Sequence, residues 1–273
     1  MDNVLIIDSN NIMFRIFTTT DVTQSKLQIF KEFAGRYARV ILDFNNKFNP
    51  THIFIMKEGG NLFRKKLSPI YKDGRNKAAA DKGNREMRDF YPRYEKMLDA
   101  IEKFTSINVL QIPGLEADDL VSIPIYKGKY NVKFILASYD KDFQQLYMYN
   151  KNFEQYKTNM EMYQNVDYQL LKHLIIGDKA DNIPGIKRGV GEKTAEKIIA
   201  KGELDILLSD DKVRQQFELN KLLIDVKNIP HIYMDMACKE FDDRIENGKK
   251  IKYNETDIYF GLNRMGLESL RGI

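Results

Sequence analysis

The sequence is poor in the residues that build thiol and imidazole sites. It contains one cysteine, Cys238, and three scattered histidines, His52, His173 and His231. A single cysteine excludes an internal disulfide and favours a reducing compartment, so we expect an intracellular, cytoplasmic protein. We predict that Cys238 is a small buried residue and that the histidines are structural rather than metal ligands.

Long apolar runs are also missing. No run of about 18 consecutive apolar residues occurs, so we expect no membrane span. The N-terminal "VLII" is too short for a signal peptide and lacks the flanks of one. With 273 residues, of which 43% are hydrophobic, the chain can bury the core of one large domain or two small ones.

Short apolar runs alternate with helical patterns in the first half of the chain. The pattern predicts strands at 4–8, 52–56, 107–112 and 132–137. It predicts helices at 25–47, at 93–104, at 116–127 with a break near Pro124, and from about 141. This alternation indicates an α/β fold with a mainly parallel central sheet and helices on both faces.

The second half is predicted to be mostly helical. Helices are expected at 167–176, 192–201, 203–208, 212–226 and near 256–270, and a small hairpin at 152–164. We therefore divide the chain into an α/β core, 1–165, and a helical C-terminal region, 166–273, that is continuous with it. A long basic connection at about 61–92 interrupts the core, and connections of that length are usually functional or mobile.

Acidic residues follow each of the four predicted strands. They are Asp8 after the first, Glu58 after the second, Glu116, Asp118 and Asp119 after the third, and Asp140 and Asp142 after the fourth. The carboxyl ends of strands in an open parallel sheet line one crevice, where ligands bind. A single aspartate is a common helix cap, and a solvated helix start is the plain alternative for "GLEADDLVS". Asp178 and Asp181 are expected to add a fifth contribution.

So many carboxylates cannot all stay ionised side by side without cations. Oxygen ligands without a histidine or cysteine cluster favour Mg²⁺ or Mn²⁺. Two such ions about 4 Å apart would stabilise the attacking and leaving oxygens of a phosphoryl displacement. The acids therefore predict a phosphodiesterase with two Mg²⁺ ions, for which Mn²⁺ could substitute.

The basic connection predicts contact with a polyanion. Residues 61–88 contain nine Lys or Arg against three Asp or Glu, although the net charge of the chain is only +4. A solvated basic loop is the alternative explanation. The aromatic side chains of the segment offer stacking surfaces for unpaired bases. The candidate DNA contacts are Arg64, Tyr71, Lys72, Arg75, Lys77, Lys82, Arg85 and Arg88.

The stretch "GIKRGVGEKTAEKII" has the form of a helix-hairpin-helix, which we place at about 183–201. Gly189 and Gly191 allow a tight turn whose amides can face a phosphate, and the following helix adds its dipole. Such hairpins contact the DNA backbone without reading its sequence. A glycine turn between two core helices would look similar. The basic residues of the stretch are Lys187, Arg188, Lys193 and Lys197.

These segments together resemble the 5′ nucleases: flap endonucleases, stand-alone phage 5′–3′ exonucleases and the N-terminal nuclease domain of bacterial DNA polymerase I. The resemblance runs nearly end to end. It rests on "VLIIDSNNIMFRIF", "FRKKLSPIYKDGR", "IPGLEADDL", "LASYDKDFQQL" and "GDKADNIPGIKRGVGEKTAEKI". It implies a PIN-like nuclease core, a helical arch at about 61–92 that admits a free 5′ strand, and a hairpin that holds the downstream duplex.

The resemblance also implies a role for each acid. The first metal ion would be held or oriented by Asp8, Glu116, Asp118 and Asp140, partly through waters, with Asp119 close by. The second would be surrounded by Asp142, Asp178 and Asp181. Lys72 and Arg75 would contact the scissile phosphate.

Two positions depart from the family's pattern. The family usually carries an aspartate after the second strand, where this chain has Lys57 and Glu58. Glu58 is longer by one methylene and could reach the site; alternatively the position is lost and Lys57 points at the crevice. Arg188 stands as an insertion in the hairpin. The family's hairpin often binds K⁺ through backbone carbonyls, so the resemblance allows a K⁺ site there, and the insertion counts against it.

The implied function is that of a structure-selective 5′–3′ exonuclease or flap endonuclease in replication or repair. It would act on branched or nicked DNA with a free 5′ end, with RNA primers and RNA–DNA hybrids as further substrates. We expect a stand-alone monomer, bacterial or phage-encoded, that works beside a separate DNA polymerase. Two alternatives stay open: a non-catalytic flap or junction binder with an altered site at Lys57 and Glu58, and a phosphatase or single-strand ribonuclease on a related sheet.

Overall fold

Five strands form one sheet in the computed structural model, which describes residues 1–20, 25–73, 85–127, 129–156 and 165–250, with only the backbone for 85–89. The strands are β1 (Asp2–Asp8), β2 (His52–Lys57), β3 (Asn108–Gln111), β4 (Val132–Ala137) and β5 (Phe153–Tyr156). Their order is β3-β2-β1-β4-β5, and all four neighbouring pairs are parallel. The predicted mainly parallel sheet is confirmed.

Helices surround this sheet. They are α1 (Ser9–Phe17), α2 (Lys26–Phe48), α3 (Phe63–Leu67), α4 (Arg85–Phe104), α5 (Ala117–Lys127), α6 (Val166–Ile176), α7 (Glu192–Lys201), α8 (Leu204–Leu208), α9 (Asp211–Ile224) and α10 (His231–Glu246), with 3₁₀ helices at Lys141–Met148 and Val226–Asn228. In the part of the chain that the structure describes, none of the helices is both long and apolar enough to cross a membrane.

Several helix and strand predictions need correction. The sequence pattern missed α1 and α10. The predicted break at Pro124 is absent, because α5 continues to Lys127 with Ile123 and Ile125 fully buried on either side of the proline. The described part of the predicted hairpin at 152–164 is β5, which pairs in parallel with β4 instead. Residues 157–164 and the predicted helix near 256–270 lie outside the described residues.

Both faces of the sheet are buried, because successive side chains of a strand point to opposite sides. Leu5 and Ile7 of β1 pack with α1, α2 and α4 in one apolar cluster. Val4 and Ile6 pack with α5 and α10 in another. Burial on both faces explains why the central strands read as continuous apolar runs rather than as alternating ones. A third cluster joins α6, α7 and α9.

The late helix α10 packs on the same face of the sheet as α5. Phe241 of α10 stacks on Phe54 of β2, with ring centroids 4.6 Å apart, and both side chains are fully buried. Beyond the end of α10, the Asn108 side chain donates to the carbonyl of Lys249 at 2.9 Å. The division at residue 165 stays a prediction, and α10 contributes to the core of the α/β part.

Phe241→Ala should destabilise the protein by about 3–5 kcal/mol, because it removes a buried ring and leaves a cavity against the sheet. Urea denaturation followed by circular dichroism measures this loss. Met236→Ala on the same helix is the control: its side chain is 43% exposed, so the free energy of unfolding should change by less than about 0.5 kcal/mol. Equal effects of the two substitutions would contradict the packing of α10.

Candidate active site

A crevice rich in carboxylates lies at the carboxyl end of the sheet. The acids that line it are Glu116, Asp118, Asp119, Asp140, Asp142, Asp178 and Asp181. Arg64 and Lys72 also line it, with His173. The structure therefore brings together seven of the predicted metal-site acids. They outnumber the two permanent cations, which leaves the crevice with excess negative charge.

Asp8 lies beneath the crevice at the junction of β1 and α1. It caps α1 by accepting a hydrogen bond from the backbone N–H of Asn11 at 3.2 Å, and its second oxygen accepts from the Ser138 hydroxyl at 2.8 Å. Burial raises the pKa of Asp8 to about 6, and the nearby charge of Asp140 adds to the effect. The carboxylate is thus held in a fixed orientation where a cation would favour its ionised form.

Asp118 and Asp140 complete a first group of acids with Asp8. Asp118 stands in the first turn of α5 and opens into the crevice. Loss of hydration raises its pKa well above the ordinary value, and the charges of Asp8 and Asp140 raise it further. Ser138 accepts a hydrogen bond from the N–H of Asp140 at 3.1 Å while it donates to Asp8, so it links two of the three acids.

Asp142, Asp178 and Asp181 form a second group. Loss of hydration raises the pKa of Asp142 to about 6, and Asp140, Asp178 and Asp181 contribute charge repulsion. Asp178 and Ile183 exchange two backbone hydrogen bonds of 2.9 and 2.7 Å, which close the loop that carries the last two acids.

Gly177 starts this loop with φ +71, where a Cβ would lie 2.3 Å from the carbonyl oxygen of Ile183. The tight loop therefore requires glycine at this position, because any side chain would collide with the closing backbone.

His173 belongs to the second group, although the sequence predicted a structural role. Its Nε2 lies 3.6 Å from Asp178 Oδ2. This contact lowers the pKa of Asp178. Burial alone would lower the pKa of His173, but Asp178 and Asp142 outweigh burial and raise it. A lone histidine on an apolar helix gives no motif. The one sequence feature that could have marked His173 as a site residue is its position in the last turn of α6, shortly before Asp178.

Glu116 and Asp119 are bound to buried cations. Arg64 Nη1 lies 3.1 Å from Glu116 and 2.6 Å from Asp119, and Arg64 Nε donates to the carbonyl of Leu223 at 2.9 Å. Tyr71 donates its hydroxyl to Glu116 at 2.9 Å. Arg64 and Tyr71 are 6% and 3% exposed. In this arrangement both side chains are occupied by buried carboxylates, and their contact with DNA stays a prediction.

Lys72 is the second cation of the crevice. Its ammonium lies 2.5 Å from Glu116 and 3.9 Å from Asp181. Burial would lower the pKa of Lys72, but Glu116, Asp118 and Asp181 outweigh burial and raise it. The contact with Lys72 also contributes to the lowered pKa of Glu116. Burial would raise this pKa, but Lys72 and Arg64 outweigh burial and lower it. Lys72 thus stays charged within the crevice, beside the acids of both groups.

The structure bears on one of the two alternatives for Lys57 and Glu58. Lys57 ends β2 and points to the face of the sheet that α4 covers. There it forms ion pairs with Glu95 and, at 3.5 Å, with Asp99 of α4. It does not point at the crevice. The Glu58 carboxylate accepts a hydrogen bond from the Asn10 side chain at 3.2 Å, two residues beyond Asp8. Glu58 is absent from the lining of the crevice as described, so its role as a metal ligand stays a prediction.

The predicted DNA contacts fall into three sets. The first consists of Arg64 and Tyr71, which are described above. The second lies outside the described residues and consists of Arg75, Lys77 and Lys82, with the side chains of Arg85 and Arg88 on α4. The third set consists of Lys187, Arg188, Lys193 and Lys197, which are exposed.

The third set surrounds a turn before α7. Val190 donates to the carbonyl of Lys187 at 3.2 Å in this turn, Gly189 has φ +85, and Gly191 caps α7. The preceding helix, α6, ends at Ile176, outside the predicted motif bounds, so the helix-hairpin-helix at 183–201 stays a prediction.

The donor chemistry of the crevice fits a hard divalent cation. All of its acids offer oxygen, and burial, with added repulsion from neighbouring carboxylates, raises the pKa values of Asp8, Asp118 and Asp142. Within the described residues, no three Asp, Glu, His or Cys side chains already converge on one point where they could hold a metal ion. The carboxylate side chains would therefore have to move when a metal ion binds. For Glu116, this movement would mean separation from Lys72.

Comparison with known proteins finds exonucleases and DNA polymerases among the similar chains. The family model of the 5′-3′ exonuclease N-terminal resolvase-like domain matches residues 3–172. The 5′-3′ exonuclease of Buchnera aphidicola is 33% identical over 159 residues, which cover 55% of this chain and 52% of that protein. DNA polymerase I of Bacillus subtilis is 25% identical over 283 residues, which cover 97% of this chain and 29% of the polymerase.

A solved structure shares the fold. The bacteriophage T5 flap endonuclease, in a pseudo-enzyme–product complex with DNA and metal ions, superposes with a TM-score of 0.64 at 20% identity over 98% of this chain and 99% of that chain. The chain spans about a third of the length of the DNA polymerase I relatives that it matches.

Arg64→Met should destabilise the protein by about 3–5 kcal/mol, because it leaves Glu116 and Asp119 buried without their cation. Denaturant unfolding measures the loss. Lys65→Met, at the exposed neighbouring position of α3, should change stability by less than about 0.5 kcal/mol. If Arg64→Met instead kept full stability and only weakened DNA binding, the original prediction of a DNA contact would be supported.

Asp8→Asn should stabilise the metal-free protein at pH 8, by roughly 1–3 kcal/mol. The folded-state pKa of about 6 lies above the ordinary value of 3.8, so wild type loses stability as pH rises between these values. The gain of the variant should therefore vanish near pH 4. Unfolding in EDTA across this pH range measures it, with exposed Asp43→Asn as a control that should show no such trend. A gain independent of pH would refute the assignment to Asp8 ionisation.

Proposed function

Because the chain belongs to the 5′–3′ exonuclease family, we propose that it is a divalent-metal-dependent 5′ nuclease. It would hydrolyse phosphodiesters near the 5′ end of branched or nicked DNA, including 5′ flaps and RNA-primer ends, in replication or repair. The observation that carries the proposal is the crevice in which seven carboxylates face two permanent cations. A polyanionic substrate can approach such a crevice only with neutralising metal ions.

The proposed cofactors are two Mg²⁺ ions, for which Mn²⁺ would substitute. Asp8, Asp118 and Asp140 would hold one, and Asp142, Asp178 and Asp181 the other. In support of this division, Asp8 is the strongest charged neighbour of Asp118, and Asp178 and Asp181 are both neighbours of Asp142. Asp140 is a charged neighbour of both acids and the strongest one of Asp142, so it would lie between the two ions. Bound ions would supply charge stabilisation for the phosphoryl displacement.

The remaining residues of the crevice have roles in orientation. Glu116 would orient Lys72 and Tyr71, which both donate to it, as well as face the first ion. Asp119 would hold Arg64 and cap α5 through the N–H of Glu116, to which it is 3.0 Å distant. Lys72 would leave Glu116 to contact the scissile phosphate, together with Arg75.

DNA outside the crevice would be held by the exposed basic side chains around the turn before α7. Lys187, Arg188, Lys193 and Lys197 would contact the duplex backbone, with the amides of Gly189 and Gly191 facing a phosphate. A K⁺ ion held by backbone carbonyls of this turn is part of the proposal. The protein would act as a monomer beside a separate DNA polymerase.

The non-catalytic alternative supposes a metal site altered at Lys57 and Glu58, with the chemistry lost after β2. Lys57 instead pairs with Glu95 and Asp99, away from the crevice. The negative charge of the crevice is therefore kept, and we rank cleavage above junction binding alone.

Asp142→Asn should lower cleavage of a labelled 5′-flap duplex in Mg²⁺ by about 100-fold, since a lost metal ligand forfeits several kcal/mol of transition-state stabilisation. Flap binding should stay close to wild type. EDTA should abolish wild-type cleavage. Asp205→Asn, an exposed acid on α8, is the matched control and should cleave like wild type.

Three outcomes separate the candidate functions. Equal cleavage by wild type and Asp142→Asn would contradict the proposed metal site. Tight flap binding by wild type without cleavage in either Mg²⁺ or Mn²⁺ would favour the junction-binding protein. Activity on free nucleotides or single-stranded RNA, with none on branched DNA, would favour the phosphatase or ribonuclease.

A further inference from the structure

Lys72 has an unusual backbone conformation for a long side chain. Its φ is +57, in the left-handed region that residues other than glycine, asparagine and aspartate rarely adopt. Such a conformation persists only where neighbouring structure enforces it, and it is common at functional sites. The neighbours of Lys72 should therefore include the group that enforces it.

The segment around Lys72 is docked on the loop that follows α6. The backbone N–H of Lys72 donates to the carbonyl of Asp181 at 2.8 Å. One residue further along that loop, the side-chain amide of Asn182 donates to the carbonyl of Ile70 at 3.2 Å. Tyr71 packs with Ile183 and Leu223 beneath these bonds. Two hydrogen bonds and an apolar contact thus bracket Lys72 from both sides.

Asn182 is itself left-handed, with φ +57. Asparagine tolerates this conformation better than most residues and also carries an amide donor. The conformation directs its amide back to the Ile70 carbonyl, 112 positions earlier in the chain. Glycine could adopt the same backbone but has no donor, so the two properties can be separated by substitution.

We propose that Asn182 is a positioning residue for Lys72. It acts through the Ile70 carbonyl and fixes the left-handed turn that delivers the Lys72 ammonium to the crevice, 2.5 Å from Glu116. Asn182 itself contacts neither substrate nor metal in this scheme. The inference rests on the proposed function for its effect on cleavage, but the placement of the Lys72 ammonium can be tested without activity.

Asn182→Gly is the main variant, because it keeps the left-handed backbone and removes only the amide. It should lower kcat on a 5′ flap roughly 10-fold with little change in KM, since small misplacements of a positioned group are costly. Asn182→Asp, which keeps the shape but places an oxygen against the Ile70 carbonyl, should behave alike. Asn49→Gly is the control: Asn49 is also left-handed, with φ +44, and is exposed at the end of α2.

A double-mutant cycle distinguishes positioning from a merely structural role. In a Lys72→Ala background, Asn182→Gly should have no further effect on kcat, because both act through the same ammonium. If Asn182 had only a structural role, Asn182→Gly would lower kcat further in that background and would lower the thermal midpoint of unfolding. The proposal expects instead that the thermal midpoint of Asn182→Gly is close to that of Asn49→Gly.

The second readout needs no cleavage. Acetylation of Lys72 by a lysine-reactive ester, followed by mass spectrometry in EDTA, should be at least several-fold faster in Asn182→Gly than in wild type and in Asn49→Gly. Unchanged labelling would overturn the inference even if wild type cleaves flaps. Faster labelling without wild-type cleavage would support the positioning of Lys72 and refute the proposed function instead. Additive effects in the double-mutant cycle would also overturn the inference.

Discussion

Repulsion between carboxylates is the constraint on which this structure depends. Two such charges 4 Å apart repel by about 4 kcal/mol at an effective dielectric of 20. The fold answers it in two ways within one crevice. Glu116 and Asp119 receive permanent cations from the chain itself, Arg64 and Lys72. The other acids lie close to one another, and burial together with the charge of neighbouring carboxylates raises the pKa values of Asp8, Asp118 and Asp142.

This division gives the crevice a structural half and a half suited to added cations. Arg64 makes the structural half, because it joins the start of α5 to the end of α9 through the Leu223 carbonyl. Removing its charge would leave two buried acids unpaired, which is more costly than the pair is stabilising. Lys72 differs from Arg64 in being only half-buried at the boundary of the two halves. It can therefore belong to the resting structure and still reach a phosphate.

The sheet and the location of the acids at the carboxyl ends of its strands could be predicted from the sequence. Both predictions depend only on the local pattern of apolar and acidic residues. The partners of each acid could not. Arg64 and Tyr71 lie in a basic stretch typical of nucleic-acid contacts. Arg64 is turned inward by its bond to the Leu223 carbonyl, and Tyr71 by its packing on Ile183 and Leu223. His173 and Ser138 had no motif to mark them. Helix α10 was missed because its apolar face shows only against Phe54 and Phe134.

The Lys57 and Glu58 pair shows where sequence periodicity could have decided more. Alternation along β2 puts Lys57 on the same side as Ile53 and Ile55, which face α2 and α4. A lysine there is directed to the helix layer, where Glu95 and Asp99 neutralise it. Glu58 comes after the strand has ended, so alternation no longer fixes its direction, and the Asn10 side chain holds it instead. Lys57 thus adds no base to the crevice, and the role of Glu58 as a metal ligand stays a prediction. The charge that would attract metal ions is carried by the acids after β1, β3 and β4 and by the loop after α6.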